Sequence, residues 1–174
     1  MLSSRLQTTP FVYFGLLLFL GVLLAASSEL PYSGFIQIIL FAYVLRLIEQ
    51  PEQINRAHLF RDGFILGLGY FVLALWWIFI SLHDVGGMSS FLSGFAVFAL
   101  ASLMAIYFGL ANLLGQWLGN IYWRSLSIPA AWVMCEYLRG QLFTGFPWMG
   151  FAETQVNGPF ANIAPYFGGL ACTF

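Results

Sequence analysis

Apolar residues run along this chain in long unbroken stretches, with neither the alternation of a half-buried strand nor the narrow stripe of a soluble amphipathic helix. Five stretches approach the roughly 20 apolar residues that cross a bilayer as a helix. They cover Pro10 to Ser27, Gly34 to Ile48, Gly63 to Leu82, Met88 to Leu118 and Ile128 to Phe143. A sixth begins near Ile163 and is still running at Phe174. The pattern therefore predicts an all-α polytopic membrane protein: a bundle of five complete transmembrane helices plus the start of a sixth, forming one transmembrane domain over residues 1–174. The fourth run is long enough to tilt, and the second and fifth are short.

Composition removes the soluble alternative. Of 174 residues, 60% are apolar and 7% are charged, against about 25% charged in an ordinary soluble domain. The mean hydropathy is +0.85, so lipid is the solvent for much of this surface. All six basic residues are arginine and the net charge is -1. The balance gives no footing for nucleic-acid binding, and the missing lysine excludes any mechanism that needs one within this chain. Cys135 and Cys172 both lie in apolar runs, which suits small buried hydrophobes and not a disulfide framework or a metal site. No cofactor is implied.

Arginine positions set an orientation. Arg5, Arg46, Arg56, Arg61 and Arg124 all fall on one side of the predicted spans, and Arg139 alone departs. The positive-inside rule makes that side cytoplasmic, with the amino terminus. The segments Glu29 to Gly34, His83 to Met88 and about 141–165 then face outward, and Trp76, Trp77, Trp117 and Trp123 suit the two interfacial belts. Arg5, the apolar stretch Phe11 to Leu24 and Ala25-Ala26-Ser27 also describe a secretory signal peptide, so cleavage of the first span stays open. No cysteine follows those small residues, so the chain is not itself a lipoprotein precursor.

The unusual chemistry lies in the fifth run. Glu136 and Arg139 are spaced i,i+3 on one helical face, where opposite charges can pair. Counting from Ile128 places them roughly 12 and 17 Å into a core about 30 Å thick. An unpaired charge there costs about 3 kcal/mol or more, so an intramembrane ion pair is expected. It either fixes how the helix docks or forms a charged wall under a substrate cavity. Ser127 and Pro129 suit the first turn of this helix, and Gly140 with Thr144-Gly145-Phe146-Pro147-Trp148 ends it early. That segment is expected to dip into the outer leaflet, where irregular backbone survives only when buried in protein or lining a cavity. The loop from Met149 to Pro159 mixes apolar anchors with hydrogen-bonding groups, which suits an amphipathic ligand or an interfacial loop held by aromatics.

A second outer turn, His83-Asp84-Val85-Gly86-Gly87-Met88, is glycine-rich. An acid/base reading of His83 and Asp84 finds little support, because adjacent residues rarely point the same way and no serine or cysteine nucleophile is spaced sensibly nearby. Gly86-Gly87 lacks the lysine and spacing of a phosphate loop. Gly63, Gly67, Gly69, Gly94 and Gly109 are expected to permit close helix packing.

Pro129-Ala130-Ala131-Trp132 running into Glu136-Tyr137-Leu138-Arg139-Gly140, then Thr144 to Trp148, Phe151, Gln155, Gly158-Pro159, Ala164-Pro165 and Gly168, resembles the membrane part of bacterial apolipoprotein N-acyltransferases. Pro31-Tyr32, Trp77, Ser81 and Gly86-Gly87-Met88 add weaker matches. The resemblance implies an inner-membrane enzyme of lipoprotein maturation, in which helices carry a nitrilase-like periplasmic domain whose glutamate, lysine and cysteine do the chemistry. It implies transfer of an acyl chain from a phospholipid, through a thioester, to the α-amine of a diacylglyceryl-cysteine at an apolipoprotein amino terminus. That constellation is absent here, so no catalytic residue carries over. The resemblance assigns a platform role to Gly145, Phe146, Pro147 and Trp148 and to Gly86, Gly87 and Met88, which would help form the opening for acyl chains. The 174 residues are expected to be the amino-terminal membrane portion of a larger acyltransferase, inactive alone. The competing reading is a non-enzymatic bundle: a small transporter using Glu136 and Arg139, or a lipid-binding scaffold.

Overall fold

A computed structural model describes residues 10–30, 32–48, 55–119, 123–142 and 145–173. Every regular element among them is helical: α1 (Pro10–Ser27), α2 (Ser33–Ile48), α3 (Arg56–Ala74), α4 (Trp76–Ile80), a π-helical turn (Ser81–Val85), α5 (Ser90–Leu118), α6 (Arg124–Gln141), a 3₁₀ segment (Phe151–Asn157), α7 (Ala164–Phe167) and α8 (Gly169–Thr173). Three of these, α1, α3 and α5, are long and apolar enough to cross a membrane, and α2 is a shorter apolar helix. Arg5, the expected end of the fifth run at Phe143, Thr144, and the residue at 174 lie outside the described residues.

The first, second and fourth runs become α1, α2 and α5 almost residue for residue, but the others are redrawn by capping and backbone geometry. The third begins at Arg56, not Gly63, because Asn55 holds an extended backbone and its side chain accepts the Ala57 N–H at 3.0 Å. Charged residues at a capped start do not shorten a helix. The same run is interrupted at Leu75, whose backbone (φ -98, ψ 10) leaves the helical region before α4 resumes. The fifth begins at Arg124, which places Pro129 inside the helix and not in its first turn. The sixth apolar run forms two short helices, α7 and α8, because Gly168 between them takes φ 79. Apolar composition there does not report a continuous helix.

The core is centred on α3, which packs against α5 on one side and α1 on the other, with α6 closing over α5. The approach is close enough that side chains are excluded at the crossing points. A Cβ on Gly69 would strike the Leu18 carbonyl oxygen, and one on Gly21 would strike that of Leu66. Across α3 and α5, Gly67 faces the Phe108 side chain at 2.7 Å from where its Cβ would stand, and Gly63 faces the Phe108 carbonyl oxygen at 2.6 Å. Small residues are how helices gain packing contact where lipid is as apolar as leucine. Gly94 differs from the expectation, since a Cβ there meets only a Phe79 ring carbon at 4.0 Å.

Polar side chains staple one end of the bundle. Asn112, fully buried, donates to the Leu59 carbonyl at 2.7 Å, and Gln116 donates to Asn112 Oδ1 at 2.7 Å and to the Ile48 carbonyl at 3.2 Å. Tyr13 donates to the buried Asp62 carboxylate at 3.0 Å, beside Arg61. Arg56 lies over the Trp117 ring at 4.5 Å, which joins the start of α3 to the end of α5. Next to this polar end the core is built around aromatic rings: Phe108 meets Trp132 at 4.7 Å and Tyr70 at 5.5 Å, and Tyr70 meets Phe151 at 5.6 Å.

Candidate functional site

Glu136 and Arg139 lie one helical turn apart on α6, and the sequence-predicted pair forms. Arg139 Nη2 stands 3.7 Å from Glu136 Oε1, with Arg139 only 3% exposed and Glu136 11%. At 3.7 Å the contact is an ion pair without a hydrogen bond. The strong hydrogen bonds of both groups go elsewhere, to the backbone of the segment that follows α6. Arg139 Nη1 donates to the Trp148 carbonyl at 2.6 Å, and Glu136 Oε1 accepts the Phe151 N–H at 3.1 Å. The guanidinium also rests 5.3 Å from the Phe71 ring centroid. Neither charge stands alone in the low-dielectric interior, and together they hold an irregular stretch of chain that has few backbone partners of its own.

Local geometry explains how the segment after α6 meets them. Gly145 takes φ 78 and donates to the Leu142 carbonyl at 2.9 Å, while Phe146 donates to the Arg139 carbonyl at 2.9 Å, so the turn caps the helix it leaves. A Cβ at Gly145 would fall on the Gly140 carbonyl. Met149 takes φ 61, a left-handed conformation uncommon outside glycine. The buried Tyr70 hydroxyl donates to the Met149 carbonyl at 3.1 Å and holds that conformation from α3. Gly150 follows because a Cβ there would collide with Glu136 Oε1.

The 3₁₀ segment is then latched to α2. Ser33 donates to the Thr154 carbonyl at 3.0 Å, Gln155 donates to the Gly34 carbonyl at 3.3 Å, and the Thr154 hydroxyl sits 3.2 Å from Gln37 Oε1. Gln37 completes the chain by donating to the Leu24 carbonyl of α1 at 3.0 Å. Sequence patterning alone marks neither Tyr70 nor Gln37 as a site residue. Gln37 is the one amide within the mostly apolar α2, whereas nothing local marks Tyr70 among so many aromatics.

Between α5, α6 and the segment that follows α6, Tyr107, Cys135, Glu136, Arg139, Met149 and Phe151 line a small cleft. Above it Trp148 stands 58% exposed, with its ring 6.1 Å from that of Trp77 on α4. This ring contact ties the α4 side of the molecule to the Gly145–Trp148 segment. The Gly86–Met88 turn is fastened to its own helix, through Gly86 N–H to the Ser81 carbonyl at 2.9 Å and Met88 N–H to the Leu82 carbonyl at 3.0 Å, with Gly87 at φ 67. Its histidine does have a hydroxyl partner that the sequence did not suggest: Ser90 Oγ lies 3.3 Å from His83 Nε2. Seven residues separate them along the chain, and the turn closes that distance. Cys135 and Cys172 are both buried free thiols.

The model for the apolipoprotein N-acyltransferase N-terminal domain matches residues 10–174. Among similar proteins, apolipoprotein N-acyltransferase of Pasteurella multocida is 33% identical over 175 residues, covering 98% of this chain and 32% of the relative. That of Haemophilus ducreyi is 35% identical over 156 residues, 89% of this chain and 30% of the relative. That of Haemophilus influenzae is 31% identical over 175 residues, 100% of this chain and 32% of the relative. The chain thus spans about a third of the length of these curated relatives.

Proposed function

Because the chain belongs to the apolipoprotein N-acyltransferase family, we propose that it is the membrane platform on which that acyl transfer takes place. In this reading the donor is a membrane phospholipid and the acceptor is the α-amine of the diacylglyceryl-cysteine of an apolipoprotein. The 174 residues contain no lysine, so the glutamate, lysine and cysteine chemistry belongs to a nitrilase-like domain and this chain is inactive alone in N-acyl transfer. Its own contribution is positional. It holds an aromatic, hydrogen-bonded rim at the outer membrane surface past which acyl chains reach the reacting groups.

One observation carries this reading: a buried ion pair spends its hydrogen bonds on the backbone of the outer segment, at Trp148 and Phe151. That arrangement fixes Gly145, Phe146, Pro147 and Trp148 as a rigid edge, which is what substrate positioning requires. The Gly86, Gly87 and Met88 turn forms the second edge, reached through Trp77. The protein sits in the bacterial inner membrane as a five-span bundle with a sixth begun, amino terminus cytoplasmic and the 141–165 region periplasmic. The contact of Arg56 with Trp117, and the latch between α2 and the 3₁₀ segment, support opposite ends for the arginine-rich and the outer segments. The outer segment dips into the leaflet instead of standing clear of it.

The test is reconstitution with phospholipid and a diacylglyceryl-cysteine peptide. The 174-residue chain is expected to give no N-acylated peptide, whereas a full-length relative acts. In that relative, replacing the residues equivalent to Arg139 and Trp148 is expected to lower transfer by tenfold or more; wild-type transfer by both variants overturns the platform role. The transporter reading is separated by solute flux through proteoliposomes, which it requires and which Glu136→Gln would abolish.

A further inference from the structure

The turn between α4 and α5 is wound wider than an α-helix. Gly86 N–H reaches the Ser81 carbonyl, five residues back, at 2.9 Å. Single π turns of this kind recur at functional sites because they re-aim side chains. Here the turn folds the His83 imidazole against its own downstream chain, with Nδ1 2.7 Å from the Met88 carbonyl oxygen. A carbonyl only accepts, so Nδ1 carries the hydrogen and the neutral ring offers Nε2 as an acceptor. The group placed at Nε2 is the Ser90 hydroxyl, at 3.3 Å.

Nucleophile, base and orienter are thus in the order that serine acyl chemistry uses, with a backbone carbonyl taking the orienting role of a carboxylate. Asp84 Oδ1 lies 3.9 Å from Nε2. Ser90 opens the 29-residue α5. Its N–H and that of Phe91 have no acceptor within the helix, so donors for a developing oxyanion stand beside the nucleophile. The surroundings select the substrate class. Val85 and Phe91, 83% and 85% exposed, flank the pair with apolar surface next to polar backbone, a setting for an ester whose acyl chain lies in lipid.

We propose that Ser90 and His83 form a serine-type ester hydrolase site acting on acyl esters of glycerolipids at the outer membrane surface. Ser90 Oγ attacks the ester carbonyl carbon as its proton passes to His83 Nε2. The bond from that carbon to the glycerol oxygen breaks, and the imidazolium protonates the leaving alkoxide. Water then attacks the acyl-serine, giving its proton to Nε2, and the carboxylic acid leaves as Ser90 recovers its hydroxyl proton. The Met88 carbonyl acts only on the ring, holding its tautomer.

Reacting the purified 174-residue protein, in detergent micelles, with a fluorophosphonate reporter and mapping the adduct by peptide mass spectrometry tests this without relying on a variant. The adduct is expected on Ser90, and labelling is expected to fall at least tenfold in His83→Ala. Hydrolysis of a short-chain p-nitrophenyl ester is expected to be lost in Ser90→Ala and kept in Ser102→Ala. An adduct on another residue, no adduct at all, or undiminished labelling of His83→Ala overturns the proposal.

Discussion

Arg139 reaches out of α6 to donate a 2.6 Å hydrogen bond to the carbonyl oxygen of Trp148, nine residues further along the chain. The bond makes a buried cation part of the backbone of an irregular segment. Charge-assisted bonds of this kind are about twice as strong as neutral ones, and the ion pair with Glu136 keeps the guanidinium from being uncompensated.

Arg139→Ala should therefore act far beyond its own helix. It leaves Glu136 buried without its cation and frees the Trp148 carbonyl, so a loss on the order of 3 kcal/mol is expected. Thermal unfolding in detergent, followed by tryptophan fluorescence, would register a lower midpoint. Arg139→Met should recover little, because it restores volume but neither the charge nor the donor.

The crossing of α1 and α3 predicts a second, chemically unrelated sensitivity. Gly69→Ala pushes a methyl into the Leu18 carbonyl and must part the two helices. A loss of about 1–3 kcal/mol is expected from overpacking. Gly94→Ala, inside α5 with open space around it, should not lower the unfolding midpoint and should raise it slightly through helix propensity, and equal losses from the two substitutions would contradict the packing described.

Tyr70→Phe removes the hydroxyl bond on the Met149 carbonyl while keeping the ring contacts of the core. About 1 kcal/mol should be lost, and the left-handed Met149 should relax. Hydrogen exchange would show this as faster exchange of the amides around 149–151, with the α3 amides unaffected.

The latch on α2 makes a separate prediction. Gln37→Leu breaks both its bonds, to Leu24 and to Thr154, yet suits an apolar helix. Limited proteolysis should cut the 151–158 region several-fold faster in this variant. No change in cleavage would mean that Ser33 and Gln155 suffice to hold the segment.

Much of this was legible because hydrophobic length is a direct physical signal: α1, α2 and α5 fall close to where the apolar runs place them. Helix ends were harder, since they depend on hydrogen bonds that composition does not carry. Asn55 starts α3 seven residues before its apolar stretch, and Gly168 divides the last apolar run through a backbone angle. The pairing of Glu136 with Arg139 follows from helical spacing. Their grip on Trp148 and Phe151 does not, because it depends on how an irregular segment folds back. The meeting of His83 with Ser90 was hidden for the same reason, in a turn whose winding no residue type announces.

The bonds between α2 and the 3₁₀ segment join residues 121 positions apart, from Ser33 to Thr154 and from Gly34 to Gln155. Helix α2 packs lightly on α1 and α3, and its other ties are Phe41 against the Trp132 ring at 4.7 Å and the Gln116 bond to Ile48. At roughly 5–20 residues per second of synthesis, the ribosome needs on the order of 6 to 24 s to make the partner that α2 awaits. During that interval the buried amide of Gln37 has only Leu24 to satisfy it, and the helix must wait in lipid half-anchored. The latch can close only after the 3₁₀ segment is made, so its closure reports that the helices synthesised before it, α1 to α6, have already been laid down.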